Sequence, residues 1–89
     1  MDKYQQDYKF VYGESHHNYA ASLSNLGILY YILGDYARAE QYYLDALRIR
    51  KSVLGENHPD YAALLHNLGE LYCNMGNYTK GEQYLLKAL

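Results

Sequence analysis

Apolar residues recur at intervals of three and four in two separate stretches of the chain. The pattern occupies Tyr19, Leu23, Leu26, Leu29, Tyr30 and Leu33 in the first stretch and Tyr61, Leu65, Leu68, Leu71, Tyr72 and Met75 in the second. This spacing puts the apolar side chains on one face of an α-helix, whereas a strand would alternate them by two. The pattern therefore predicts two amphipathic helices, which we call the A helices.

Each predicted A helix ends at a glycine and is followed by a second helix, which we call the B helix. Gly34 and Gly76 suit the left-handed residue that follows a helix, and Asp35 and Asn77 can cap the next one. Gly55 is expected to end the first B helix. The apolar positions of the B helices are Tyr36, Ala39, Tyr43, Ala46 and Leu47, matched by Tyr78, Gly81, Leu85, Ala88 and Leu89. Each A and B pair is thus predicted to form an antiparallel hairpin.

The two hairpins are copies of one repeat. A shift of 42 positions aligns residues 13–47 with residues 55–89, and 20 of the 35 aligned pairs are identical. Residues 1–12 align with the end of the first unit at only two identities, so we expect the second helix of a diverged preceding repeat there. The predicted organisation is all-α, with about two and a half repeats: residues 1–12, a full repeat at 13–54 and a repeat at 55–89 that stops within its B helix.

Two glycines lie in the middle of the predicted A helices. Gly27 and Gly69 each cost about 1 kcal/mol of helix stability relative to alanine. Such a cost is tolerated where another backbone must approach closely. Ala39 and Gly81, on the facing stretch of the B helix, are the expected neighbours.

Composition and charge narrow the classes of function. Eight basic and ten acidic residues give a net charge of −2, which offers no long-range attraction for nucleic acid or anionic lipid. Cys73 is the single cysteine, so the chain has no internal disulfide. The N-terminal residues lack the apolar core of a signal peptide, and the longest apolar run, 28–33, is too short to cross a bilayer. We therefore expect a cytoplasmic protein without a membrane segment.

The motif Leu-x-x-Leu-Gly-x-x-Tyr occurs at residues 23–30 and again at 65–72, and Ala39 or Gly81 follows twelve residues after its glycine. This pattern resembles the tetratricopeptide repeat. The period of 42 residues is longer than the usual ~34 of that family. Together with the linker Gly-Glu-Asn-His-Pro-Asp-Tyr-Ala at 55–62, it resembles the kinesin light chain type, which is also similar to long bacterial arrays. Armadillo and HEAT solenoids have a comparable period but lack this spacing of glycine and alanine.

The resemblance implies an α-α superhelix, a solenoid of antiparallel helix hairpins whose A helices line a concave groove. In this family the groove binds peptide segments of other proteins, and the resemblance implies neither an enzyme nor a cofactor. Carried over by position, the groove would comprise Ala21, Ser24, Asn25, Ile28, Tyr31 and Ile32 from the first repeat, and Ala63, His66, Asn67, Glu70, Cys73 and Asn74 from the second.

Asn25 and Asn67 are the strongest candidates for ligand contact. A carboxamide offers both a donor and an acceptor to a peptide backbone, and the resemblance implies the same role. The competing interpretation is that the two side chains satisfy helix ends or a neighbouring repeat. The predicted groove holds Glu70 and no lysine or arginine, which argues against a clamp for a C-terminal carboxylate. The expected ligand is a neutral or mildly basic, partly apolar peptide.

Two other interpretations concern the whole segment. The chain stops without a polar capping helix, so it could be a structural spacer of a longer array or could self-associate through its terminal helices.

His66, Glu70 and Cys73 stand at i, i+4 and i+7, which suggests a zinc site only weakly, because metal ligands usually come from more than one element.

A basic cluster lies at the end of the first B helix, at Arg48, Arg50 and Lys51. Cations at this end of a helix stabilise its negative dipole, and three charges are too few to carry nucleic-acid affinity alone. We therefore favour the structural interpretation of this cluster over an anion-binding one.

Overall fold

The computed structural model describes residues 14–89, which form four α-helices and no strand. These are α1 (Glu14–Leu33), α2 (Tyr36–Leu54), α3 (Pro59–Asn74) and α4 (Tyr78–Ala88). The order confirms the predicted alternation of A helices, α1 and α3, with B helices, α2 and α4. The helix predicted for residues 1–12 lies outside the described residues. None of the four helices is long and apolar enough to span a membrane.

The turns within the hairpins are built as the sequence predicts. Gly34 and Gly76 have φ angles of +84° and +87°, in the left-handed region that favours glycine. The side chains of Asp35 and Asn77 then accept hydrogen bonds, each 3.3 Å long, from the backbone N–H groups of the third residue after them. These caps satisfy donors that the first turn of a helix leaves free. Both hairpin turns are therefore confirmed.

The link between the hairpins runs from Gly55 to Pro59. Gly55 ends α2 with a φ of +86°. His58 is the N-cap of α3: its Nδ1 accepts from the N–H of Asp60 at 3.0 Å, and Pro59 occupies the first turn. Proline is favoured there because that N–H has no partner within the helix. His58 therefore has a structural role as the cap of α3.

The glycines inside the A helices mark the closest approach within each hairpin. A Cβ added to Gly69 would lie 3.1 Å from the carbonyl oxygen of Gly81, so backbone meets backbone in the second hairpin as predicted. In the first hairpin the neighbour is different. A Cβ on Gly27 would lie 2.6 Å from the ring of Tyr43, which fills the space that Leu85 fills in the other hairpin.

Helices α2 and α3 join the hairpins into one hydrophobic core. Leu64, Leu68 and Leu71 of α3 are fully buried, and Leu44 and Leu47 of α2 pack against the cluster that contains them. Two polar contacts tie the same helices together. The Tyr72 hydroxyl donates to Glu40 at 2.6 Å, and Arg50 donates to the carbonyl of Asp60 at 3.1 Å.

Candidate functional site

The two A helices are connected along one side of the molecule. The Asn74 carboxamide of α3 donates a 2.6 Å hydrogen bond to the Tyr31 hydroxyl of α1. We call seven of the predicted groove residues on these two helices, all of them exposed or half-buried, the A-helix face. It consists of Asn25, Ile28 and Ile32 from α1 and His66, Asn67, Glu70 and Asn74 from α3.

The two asparagines at equivalent positions differ from Asn74 in how their side chains are used. Asn25 is exposed and Asn67 is half-buried. Neither carboxamide forms a hydrogen bond with any residue between 14 and 89. The Asn74 carboxamide donates both to Tyr31 and to the carbonyl of Glu70. Within residues 14–89, the hydrogen-bonding groups of Asn25 and Asn67 satisfy neither a helix end nor the other repeat.

Three of the predicted groove residues serve packing instead. Ser24 is only 7% exposed, because it shares the buried stripe of α1 with Ala20 and Gly27, which are four and three positions away. The Cys73 sulfur faces α4, where a Cβ added to Gly81 would lie 2.5 Å from it. Ser24 is therefore buried rather than exposed in a groove, and Cys73 points to the B helix rather than across the A-helix face.

Tyr31 is the third of these residues and lies at the edge of the A-helix face. It is half-buried, and its ring packs against Tyr36 with the centroids 5.6 Å apart. Its hydroxyl accepts the hydrogen bond from Asn74. Tyr31 therefore helps to hold α1 and α3 together.

The electrostatics of the A-helix face are set by one carboxylate. Glu70 is exposed and is the sole Asp, Glu, Lys or Arg in the set. Tyr43 lies beneath the same region and is 3% exposed. Burial raises the pKa of the Tyr43 phenol, and the nearby Tyr31 and Glu70 raise it further. The face is therefore mildly negative at neutral pH, and its exposed apolar area comes from Ile28 and Ile32.

The weakly suggested zinc site is not assembled in the described part of the chain. Between residues 14 and 89, no group of three histidine, cysteine, aspartate or glutamate side chains lies close enough together to hold a metal ion. The orientation of Cys73 toward α4 separates it from His66 and Glu70, although the three share one helix.

The basic cluster at the end of α2 is divided among separate contacts within the chain. Arg48 pairs with Asp45 at 3.4 Å, and Lys51 pairs with Glu56 at 3.5 Å. Arg50 donates to the backbone carbonyl of Asp60 across the link between the hairpins. The three cations point to three different partners, which favours the structural interpretation over an anion-binding site.

The structure also contains a feature that the sequence reasoning missed. An open cavity of about 540 Å³ lies beside α4, and we call the α4 residues that line it the α4 end face. It consists of Tyr78, Thr79, Glu82, Leu85, Leu86 and Leu89, with Cys73 of α3 at the edge of the cavity. The signal was present in the repeat alignment, because Glu82, Leu86 and Leu89 match three α2 residues that contact α3 or the core shared with it, namely Glu40, Leu44 and Leu47.

Comparison with known proteins identifies the repeat. Two tetratricopeptide repeat family models match the chain, one at residues 20–60 and one at residues 56–83. None of the curated proteins compared with the chain is similar to it. Tetratricopeptide repeats generally mediate protein–protein interaction and are typically non-enzymatic scaffolds. The two matches agree with the four helices and their turns, and the chain belongs to the tetratricopeptide repeat family.

Proposed function

We propose that the A-helix face binds a peptide segment of a partner protein, so that the chain acts as a non-enzymatic scaffold. The observation that carries this proposal is the hydrogen bonding of the Asn25 and Asn67 side chains. Both lie in register on the two A helices, and neither carboxamide has a hydrogen-bond partner in residues 14–89. A peptide backbone supplies the donor and the acceptor that each carboxamide lacks.

In this proposal one ligand uses both asparagines. They occupy the same position in the two copies, 42 residues apart, and a hydrogen bond between Tyr31 and Asn74 links α1 to α3. A face that is already held in place loses little conformational entropy when a ligand binds. Backbone contacts of this kind set the register of a peptide without requiring a particular side chain.

The remaining residues of the A-helix face define the chemistry of the ligand. Ile28 and Ile32 are 39% and 72% exposed and offer apolar contact. Glu70 offers one negative charge and no cation lies in the set, so a peptide that ends in a carboxylate is disfavoured. The proposed ligand is a neutral or mildly basic peptide with several apolar residues.

A second candidate function is self-association or spacing within a larger array. It is favoured by the open cavity at the α4 end face, which exposes Leu86 and Leu89. In that case the A-helix face has no ligand of its own. The two functions use different surfaces, so variants can separate them.

The peptide-binding proposal is tested by panning a random peptide display library against the chain. The test variant is Asn25→Ala/Asn67→Ala. The matched control is Gln41→Ala/Gln83→Ala, which removes two exposed carboxamides at equivalent positions of the B helices. Circular dichroism verifies that both variants keep their helices. Affinities of the enriched peptides are then measured by fluorescence anisotropy.

We expect enriched peptides whose affinity falls about tenfold or more in the asparagine variant, because several backbone hydrogen bonds are lost at about 0.5–1.5 kcal/mol each. The glutamine variant should bind as the unmodified chain does. No enrichment, or an equal loss of affinity in both variants, contradicts the proposal.

A further inference from the structure

The contact between the two hairpins is a template for what the α4 end face can bind. In this contact, Leu68 and Leu71 of α3 have no exposed surface, and Leu44 and Leu47 of α2 pack against the same core. At its edge the Tyr72 hydroxyl donates to the Glu40 carboxylate at 2.6 Å. The interface therefore combines apolar side chains with one charge-assisted hydrogen bond.

The α4 end face repeats the α2 side of this interface. Glu82, Leu86 and Leu89 stand 42 positions after Glu40, Leu44 and Leu47, and all three pairs are identical residues. Leu86 is 60% exposed and Leu89 is fully exposed. Within residues 14–89, no group donates a hydrogen bond to the Glu82 carboxylate. The α4 end face thus presents the same acceptor and the same leucines as α2, beside an open cavity.

Helix α1 carries the other side of the same interface. Leu26, Leu29 and Tyr30 stand 42 positions before Leu68, Leu71 and Tyr72, and these pairs are also identical. Leu26 is 37% exposed and Leu29 is 48% exposed, although their counterparts in α3 are fully buried. We call Leu26, Leu29, Tyr30 and Leu33 the α1 outer face.

Tyr30 is held in the same way as Tyr72, whose hydroxyl makes the polar contact of the internal interface. Tyr30 stacks on Tyr42 at 5.5 Å, as Tyr72 packs on Tyr84 at 5.3 Å. A cation lies over each ring, Arg38 in the first hairpin and a lysine at the equivalent position in the second. The Tyr30 hydroxyl accepts a long hydrogen bond from Arg38, which leaves its own proton available to a carboxylate.

We propose that the α4 end face of one molecule docks the α1 outer face of a second copy of this chain and so repeats the contact between α2 and α3. In this arrangement the Tyr30 hydroxyl of the second copy donates to the Glu82 carboxylate of the first. The two surfaces are different and lie on different hairpins, so the contact is head-to-tail and can add further copies. This inference specifies the self-association candidate above and does not depend on peptide binding at the A-helix face.

One substitution makes this contact weaker than the internal one. Leu64 of α3 is fully buried in the core that joins the hairpins, whereas α1 has the exposed Ser22 at the equivalent position. A docked α1 therefore lacks one buried leucine and places a hydroxyl where the interface is apolar. We expect association that depends on concentration rather than a permanent oligomer.

The test is sedimentation equilibrium of the 89-residue chain over a range of concentrations. The monomer has a mass of 10.4 kDa. Leu86→Glu disables the α4 end face, and Leu29→Glu disables the α1 outer face. Both residues are exposed, so the monomers should keep their helices, which circular dichroism verifies. Ser52→Glu, at an exposed position of α2 outside both faces, is the control for added charge.

We expect the mass of the unmodified chain and of Ser52→Glu to rise with concentration beyond that of a dimer. Each of the two leucine variants should associate at least about tenfold more weakly, because a buried carboxylate replaces a buried leucine. An equimolar mixture of the two variants keeps one intact face on each partner and should form a dimer that does not grow. Ser22→Leu should tighten association severalfold.

A single species of 10.4 kDa at all concentrations overturns the proposal. Self-association that persists in one leucine variant, or a mixture that stays monomeric, excludes the head-to-tail contact. The Asn25→Ala/Asn67→Ala variant should self-associate as the unmodified chain does, so failure of this proposal and failure of peptide binding are distinguishable.

Discussion

The two hairpins have closely similar sequences but bury equivalent residues to different extents. Leu68 and Leu71 of the second A helix are fully buried, while Leu26 and Leu29 of the first are 37% and 48% exposed. The residues are identical, so within residues 14–89 the difference comes from their neighbours: α3 packs against both α2 and α4, whereas α1 packs mainly against α2. In a solenoid, burial is thus a property of the stack rather than of the repeat.

The two hairpins also differ in the residues that lie where their helices approach most closely. In the second hairpin, glycines in both helices let the backbones meet, and the half-buried Leu85 lies over Gly69. In the first hairpin Ala39 takes the place of one glycine and the ring of Tyr43 lies over Gly27. Tyr43 is 3% exposed. The first hairpin is therefore filled by a rigid buried ring, and the second by a flexible side chain beside an open cavity.

The largest effect should come from shortening equivalent leucines. Leu68→Ala is expected to lower the free energy of unfolding by about 3–4 kcal/mol, because a fully buried leucine leaves a cavity. Leu26→Ala should cost about 1 kcal/mol, since its side chain is already partly exposed. Urea denaturation at low protein concentration measures both values. Equal losses would show that the two A helices are equally buried in solution.

A smaller difference is expected between the two helical glycines. Gly27→Ala pushes a methyl group against the ring of Tyr43 and should cost about 2 kcal/mol after the gain in helix propensity. Gly69→Ala should cost about 1 kcal/mol, because Leu85 can turn toward the open cavity and the Gly81 carbonyl oxygen, 3.1 Å from the added Cβ, needs only a small shift. The same denaturation experiment compares them, and a larger loss for Gly69→Ala would contradict this account of the packing.

Local signals allowed much of the fold to be predicted from the sequence. These signals act within a few residues of one another, so they can be recognised in a single sequence. They are the spacing of apolar residues, the glycines at 34 and 76 and the caps at 35 and 77. The burial of Ser24 and the orientation of Cys73 depend on which helix lies alongside. Such contacts join residues far apart in sequence, and for this reason the cavity at the α4 end face was missed.

The smallest expected effect concerns the polar contact between the hairpins. Tyr72 is 2% exposed, and its hydroxyl donates to the half-buried Glu40. Tyr72→Phe leaves this carboxylate without its donor and should cost about 1.5 kcal/mol. Tyr30→Phe removes only a 3.4 Å hydrogen bond with exposed Arg38 and should lower stability less than Tyr72→Phe does.

The same tyrosine predicts how stability depends on pH. Burial raises the pKa of Tyr72 well above its ordinary value of 10.0, and the hydrogen bond to Glu40 raises it further. The unfolded chain therefore releases this proton near pH 10 while the folded chain still holds it, so stability is fully present below pH 10 and falls as the pH rises beyond it. The buried Tyr43 acts in the same direction. In urea denaturation between pH 8 and about 11, Tyr72→Phe should lose less stability than the unmodified chain. Parallel losses in the two proteins would mean that the contact between Tyr72 and Glu40 does not hold the hairpins together in solution.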